Sequence, residues 1–220
     1  MRLAIVGYGK MGRLVEQLAS EYDFTIHARI GRNDDLYQAR GANVAIDFTT
    51  ADAVAHNVEV LAKLGVPVVV GTTGWLGEIK RVHAAVKQHK SALVWSPNFS
   101  IGVNIFMRLV EEAARLMARE TNYGAWAWEL HHASKKDSPS GTLLKLVSVM
   151  EKAGYAHPIN QSSIRAGHVP GMHEIGFDSA ADTITLRHTA RSREGFARGT
   201  LKAAQWIIGK EGFYEFTEII

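Results

Sequence analysis

Arg2-Leu3-Ala4-Ile5-Val6-Gly7-Tyr8-Gly9-Lys10-Met11-Gly12 is the stretch on which the fold turns. Its apolar residues from Leu3 to Val6 make a short buried strand, and after the glycines apolar residues recur at Leu14, Val15, Leu18 and Ala19 with helical spacing. G-x-G-x-x-G between a strand and a helix has a defined task. The first glycine makes the tight turn, the second admits a pyrophosphate to the backbone, and the third lets helix and strand pack closely. The pattern predicts dinucleotide binding and marks Gly7, Tyr8, Gly9, Lys10, Met11 and Gly12 as cofactor-binding residues.

Downstream, Phe24 to Ile30 reads as a second strand, but no acidic residue stands at its end to hold an adenosine ribose. Arg29 and Arg32 stand there instead, and positive charge at this place suits a 2′-phosphate; Asp34 and Asp35 leave NADPH and NADH both open. Strands at Val44 to Phe48, Val66 to Val70 and Ala92 to Trp95 alternate with helices at Ala51 to Leu64 and Leu76 to His89. Such alternation predicts a Rossmann-type α/β unit with a parallel sheet. Ligands of these sheets lie beyond the carboxyl ends of the strands, where three polar or glycine-bearing loops fall. Phe48, then Gly71, Thr72 and Thr73, then Ser96, Pro97, Asn98 and Phe99 are therefore candidate cofactor contacts. Each loop alone reads more readily as a turn; all three on the sheet of the glycine motif favour a crevice.

Ser100 to Asn104 leads into a long helix, and a hinge is placed there. Residues 1–103, joined by a final helix and tail at about 193–220, form the dinucleotide-binding domain; 104–192 form a smaller α+β mixed-sheet domain for substrate binding and oligomerisation. Trp126, Trp128 and Leu130 alternate with Ala125, Ala127 and Glu129, a period of two that carries a half-buried strand into His131 and His132. Ser140 is a good N-cap for the helix that follows. The free amides of Ser140, Gly141 and Thr142, at the positive end of the helix dipole, make a cradle for a carboxylate or phosphate. An imidazole and the ammonium groups of Lys135 and Lys136 beside it bring acid chemistry and anion binding into one loop. The run from Arg165 to Glu174 is rich in turn residues, so its histidines are open to a reading as surface caps, the one preferred for His168, while His173 to Phe177 alternates as a strand.

Composition narrows the classes. A chain of 220 residues with 46% hydrophobic content fills one large core or two modest ones. No apolar run approaches the roughly 18 residues of a membrane span, and Met1-Arg2 leads into a strand rather than a signal peptide, so a cytoplasmic protein is expected. The absence of cysteine excludes disulfides, thiolate metal sites and cysteine nucleophiles, and no metal is expected. Basic residues number 25 against 22 acidic, without a basic block, which argues against nucleic acid and for mild steering of anions.

With these residues assembled, the chain resembles the 4-hydroxy-tetrahydrodipicolinate reductase (dihydrodipicolinate reductase) family almost end to end. The carriers are Gly7 to Gly12, Asp47-Phe48-Thr49, Gly71 to Gly74, Pro97 to Asn104, Glu129-Leu130-His131-His132 with Lys135, and Asp137-Ser138-Pro139-Ser140-Gly141-Thr142. The last is highly specific and the first is not. The resemblance implies reduction of a cyclic dicarboxylate with NADPH or NADH in the diaminopimelate and lysine pathway. It implies that His131 is the catalytic acid, Lys135 the second proton donor, His132 a substrate ligand, and that Gly141 and Thr142, with Ser140, hold a substrate carboxylate. Domain closure and a homotetramer built through the second-domain sheet are implied as well. The chain departs from the family in a shorter segment before Asp47 and in Ala133-Ser134 between the histidine pair and Lys135. An amino-acid-type dehydrogenase and a non-catalytic NAD(P)-binding sensor are the alternatives; the first has no need of the second-domain loop, and the second none of the proton donors.

Overall fold

Strand β1 (Arg2–Val6) runs through the interior of a six-stranded sheet in the computed structural model, which describes residues 1–220. β2 (Thr25–Ile30) lies on one side of it and β3 (Val44–Asp47) on the other. Beyond β3 come β4 (Val68–Val70), β5 (Ala92–Trp95) and the last strand of the chain, β10 (Gly212–Glu215), all parallel. This sheet and its helices form one unit, Met1–Ile101 with Glu194–Ile220.

Continuous apolar runs make parallel strands because both of their faces are covered. Leu3 and Ile5 pack with Val15 and Leu18 of α1 (Lys10–Ala19) and with Leu201, Ala204 and Ile207 of α6 (Glu194–Ile207). Ala4 and Val6 pack on the other face with Val54, Val58 and Leu61 of α2 (Ala51–Lys63) and Val82 and Val86 of α3 (Ile79–Gln88). Two elements start two or more residues later than the sequence predicts. Pro67 has no N–H for the ladder, so β4 starts at Val68, although the Pro67 carbonyl accepts from Ala45 N at 2.8 Å. Gly77, a poor helix former, sits in a single 3₁₀ turn at 76–78, and α3 begins after it. The tail is both a strand and a core plug: β10 pairs with β5, and Phe216 is buried with its ring 4.8 Å from that of Phe99.

The second unit, Gly102–Arg193, carries a four-stranded sheet. β6 (Gly124–His131) is flanked by β7 (Ile159–Arg165), parallel to it, and β8 (Gly171–Asp178), antiparallel; β9 (Thr183–Ala190) pairs with β8. Its core contains Phe106, Val110 and Ala114 from α4 (Ile101–Met117) and Leu143, Leu146, Val147 and Met150 from α5 (Gly141–Lys152), set against Ala125, Ala127, Ile175 and Phe177 of the sheet. Each of the two leucines contributes about 1.5–3 kcal/mol by burial. The inner face of β6 is thus its small-residue face, continued by Glu129 and His131, while Trp126, Trp128 and Leu130 lie on the outer face and remain partly exposed. Helices crowd close to alanines; the tryptophans do not fit there.

Candidate active site

In the first unit the strand order reverses between β1 and β3, the place where parallel sheets take their ligands. A cavity of about 600 Å³ opens there, lined among others by Gly7, Tyr8, Gly9, Arg32, Phe48 and Thr49. A neighbouring cavity of about 490 Å³ shares Gly9, Phe48 and Thr49 and adds Lys10, Met11, Gly71, Thr72 and Thr73. Gly7 has a φ of +91°, and a Cβ on it would lie 2.2 Å from the Phe48 carbonyl oxygen, so the turn admits only glycine. Gly9 differs: a Cβ there meets nothing within 4 Å. It is also the N-cap of α1, no side chain caps that helix, and no acid stands in its first turn. An open cradle facing uncapped amides fits a dinucleotide pyrophosphate.

The loops around the cavity are tied together by Asp47, which is fully buried. Its Oδ1 accepts from Thr49 N (3.0 Å), Thr49 Oγ1 (2.7 Å) and Thr72 Oγ1 (2.8 Å), and its Oδ2 from Asn57 Nδ2 (2.8 Å). A carboxylate satisfied from two loops and a helix fixes the cavity wall. The two arginines take different places. Arg29 forks onto Glu16 of α1, with Nε 2.9 Å from Oε1, and the Tyr8 hydroxyl donates to the same carboxylate. Arg32 lines the cavity. Of the residues after β5, Ser96 and Phe99 are buried and none of 96–99 lines either cavity. Within their loop, Ser96 Oγ donates to the Asn98 carbonyl (2.8 Å), and Asn98 Oδ1 accepts from Ser100 N (2.9 Å).

In the second unit the site is organised by Glu129, which has no exposed surface. Its Oε1 accepts from Ser140 N (2.8 Å), Ser163 Oγ (3.0 Å) and Arg165 Nη2 (2.7 Å). Its Oε2 accepts from the Ser140 hydroxyl and lies 3.2 Å from His131 Nδ1 and 3.4 Å from His173 Nε2. These contacts follow from register: Glu129 pairs with Ser163 on one side and His173 on the other, and His131 pairs with Arg165. Burial pushes the Glu129 carboxyl up, but the bonds from Ser140, Arg165 and Ser163 outweigh it and hold the group at about 2. Burial lowers both histidines; Glu129 opposes this at His131, while at His173, brought to about 4, the neighbouring His131 adds to it.

Ser140 caps α5 by accepting from Leu143 N at 3.2 Å, as the sequence predicts. Gly141 and Thr142 follow at the first turn, and a Cβ on Gly141 would meet nothing within 4 Å. Before the helix, Lys135 Nζ binds both Asp137 oxygens (2.7 and 2.9 Å), and Arg165 Nη2 donates to the Asp137 carbonyl at 2.6 Å. The Lys135 ammonium, and then backbone amides including that of Gly141, draw the Asp137 carboxyl below its ordinary range. His132 lies just past the end of β6, with Nδ1 2.8 Å from Ser134 Oγ. His131, Lys135, Ser140 and Gly141 therefore gather around one carboxylate network, with His132 at the mouth of the same loop.

Two members of that network have no role in the sequence reading. His173 is not a surface cap: it lies inside β8, 5% exposed, with its ring edge-on to His131 at 5.1 Å between centroids. Arg165 ends β7 and holds Glu129. The signal was the alternation of His173, Ile175 and Phe177, which puts all three on the inner face of the sheet. Glu129, His131 and His173 have the side chains of a cation site, with ligand atoms within 4.8 Å of one another. The Arg165 guanidinium and the Ser140 hydroxyl already occupy the carboxylate, which makes this a hydrogen-bond network.

Two family profiles match the sequence, "Dihydrodipicolinate reductase, N-terminus" over residues 1–99 and "Dihydrodipicolinate reductase, C-terminus" over residues 102–220. A 4-hydroxy-tetrahydrodipicolinate reductase of Archaeoglobus fulgidus is 38% identical over 261 aligned residues that span the whole of both chains. One from Christiangramia forsetii is 34% identical, covering 100% of this chain and 98% of the relative. The dipicolinate-bound dihydrodipicolinate reductase of Paenisporosarcina sp. TG-14 superposes with a TM-score of 0.80 over 100% of this chain and 99% of that one, at 21% identity.

Proposed function

Because the chain belongs to the dihydrodipicolinate reductase family, we propose that its two units divide the labour of one reaction, the first holding the dinucleotide and the second the substrate and the proton donors. The reaction is the NAD(P)H-dependent reduction of 4-hydroxy-tetrahydrodipicolinate to tetrahydrodipicolinate, a step of diaminopimelate and lysine biosynthesis. One hydride and one proton enter the substrate ring and one water leaves it.

The observation that carries the assignment of residues is that His131 and the start of α5 meet at the buried carboxylate of Glu129, while Arg165 bridges that carboxylate to Asp137, the partner of Lys135. Gly141 and Thr142, with Ser140 fixing the helix start, hold one substrate carboxylate through backbone amides. His132, at the mouth of the loop, binds the substrate from the other side, and Lys135 exchanges its Asp137 partner for the substrate anion. When bound, the reduced nicotinamide supplies the hydride. His131 delivers the proton. Burial disfavours the imidazolium, and a dianionic substrate beside the ring restores it, so the acid is charged when substrate is present.

In the first unit, Gly9 and the α1 amides would hold the pyrophosphate, with Lys10, Met11 and the residues 71–73 along the second cavity. Arg32, on the cavity wall, is the residue that would meet a 2′-phosphate, and NADPH binds at least as tightly as NADH. Trp126, Trp128 and the 46% exposed Ile164 line the outer face of the second-unit sheet, which is the surface of a homotetramer in this reading. The direct test follows NAD(P)H oxidation with freshly generated 4-hydroxy-tetrahydrodipicolinate against a control without substrate. Turnover only with substrate is expected; equal rates in both would contradict the reading.

A further inference from the structure

We propose that Glu129 is the positioning residue of the site, a single buried carboxylate that sets both the start of α5 and the tautomer and charge of His131. The inference rests on His131 being the proton donor and adds the group that makes it one.

A buried carboxylate is costly unless fully paired, and a helix cap alone does not require one. Ser140 caps α5 with its own hydroxyl, yet Glu129 reaches it from β6 and binds both its amide and that hydroxyl. The same carboxylate faces His131, whose buried Nδ1 has no hydrogen-bond partner of good geometry and whose neighbour there is Glu129 Oε2 at 3.2 Å. Catalytic hydrogen bonds are often poorly aligned without substrate and tighten when it binds. An acceptor that is always ionised keeps the neutral ring protonated on Nδ1, which leaves Nε2 as the atom that takes up and gives away the catalytic proton. Nε2 has room because residue 171 is glycine: a Cβ there would lie 3.0 Å from it.

The charges around His131 point the same way. Lys135 and Arg165 oppose the imidazolium, Asp137 and Glu129 favour it, and Glu129 is the strongest of the four. His173, packed edge-on, and His188, its pair on β9, are both pushed toward the neutral form by burial. Removing the Glu129 charge would therefore make His131 a stronger acid, charged only at lower pH. Since the same carboxylate anchors Ser140, the anion cradle and the acid are held in one frame.

The test has two arms. In the unsubstituted protein, ¹⁵N spectra of labelled histidines, assigned with His131→Gln, should show neutral His131 protonated on Nδ1; the Nε2–H tautomer would overturn the proposal whatever the variants do. In Glu129→Gln, which keeps the shape and loses the charge, the alkaline limb of the kcat–pH profile should move to lower pH. Above the limb kcat falls about tenfold for each unit of movement, a pH-dependent loss that a purely structural change would not produce. A variant that melts earlier but keeps the parental limb would make Glu129 a purely structural residue and overturn the proposal. His131→Ala run in parallel separates the failures: near-parental kcat there refutes the proton-donor reading and this inference with it, whereas a collapse of kcat with an unmoved Glu129→Gln limb refutes the inference alone.

Discussion

The carboxylate of Glu129 and the backbone amide of Ser140 lie 2.8 Å apart, which ties the last turn of a strand to the first turn of a helix through a buried charge. Such a charge makes stability depend on pH. The ordinary value of the Glu129 carboxyl, 4.5, falls to about 2 in the fold, so its contribution is present above 4.5 and is lost as the pH drops toward 2.

His173 adds a step at higher pH. Its ordinary value of 6.5 falls to about 4, so the unfolded chain takes up the proton first; the contribution is whole above 6.5 and is lost as the pH drops through 4. The loss amounts to on the order of 3 kcal/mol. Urea unfolding at several pH values across this window should show a steeper fall for the parent than for His173→Gln. Equal slopes would mean that His173 is not held neutral by its burial.

The two glycines of the dinucleotide turn should separate folding from binding. Gly9→Ala places its methyl in open space, so stability should stay within about 0.5 kcal/mol while dinucleotide affinity falls at least about tenfold. Gly7→Ala should destabilise the fold itself, through a positive φ and a contact with the Phe48 carbonyl. Unfolding curves and dinucleotide titrations of both variants check this; unchanged affinity in Gly9→Ala would move the pyrophosphate elsewhere.

Nucleotide choice should rest on Arg32. Arg29 is engaged by Glu16, so Arg29→Ala should leave the ratio of NADPH to NADH dissociation constants nearly unchanged. Arg32→Ala should weaken NADPH selectively. A parent that prefers NADH, or an unchanged ratio in Arg32→Ala, would contradict the assignment.

Assembly is testable without substrate. Because Trp126, Trp128 and Ile164 stay partly exposed on the outer sheet face, sedimentation at micromolar protein should show no stable monomer. A single species near 24.2 kDa would leave that face as ordinary surface.

What was legible in the sequence is what short range dictates. The strand, glycine turn and helix at Arg2–Ala19 declare themselves because the glycine spacing and the apolar periods on either side of it lie within one short stretch, and Ser140 declares itself as a cap because capping involves only the next three residues. Pairings across the sheet were not legible. Glu129 meets His173 and Ser163 only through the register of β6 with β8 and β7, and Arg29 meets Glu16 only because α1 packs against β2. Turn residues around Gly167 to Gly171 hid His173, although its parity with Ile175 and Phe177 marked the inner face.

Proton delivery by His131 is tested by single-turnover kinetics of three variants. His131→Ala should lower the rate of the chemical step by roughly 10²–10⁴-fold with a smaller effect on KM. His132→Ala should chiefly raise KM, and Lys135→Ala should lose in both parameters, since its ammonium both attracts a carboxylate and donates a proton. Dinucleotide affinity, held by the first unit, should survive all three changes. A His131→Ala enzyme with a near-parental chemical rate would contradict the account and make His131 a residue that merely ends a strand.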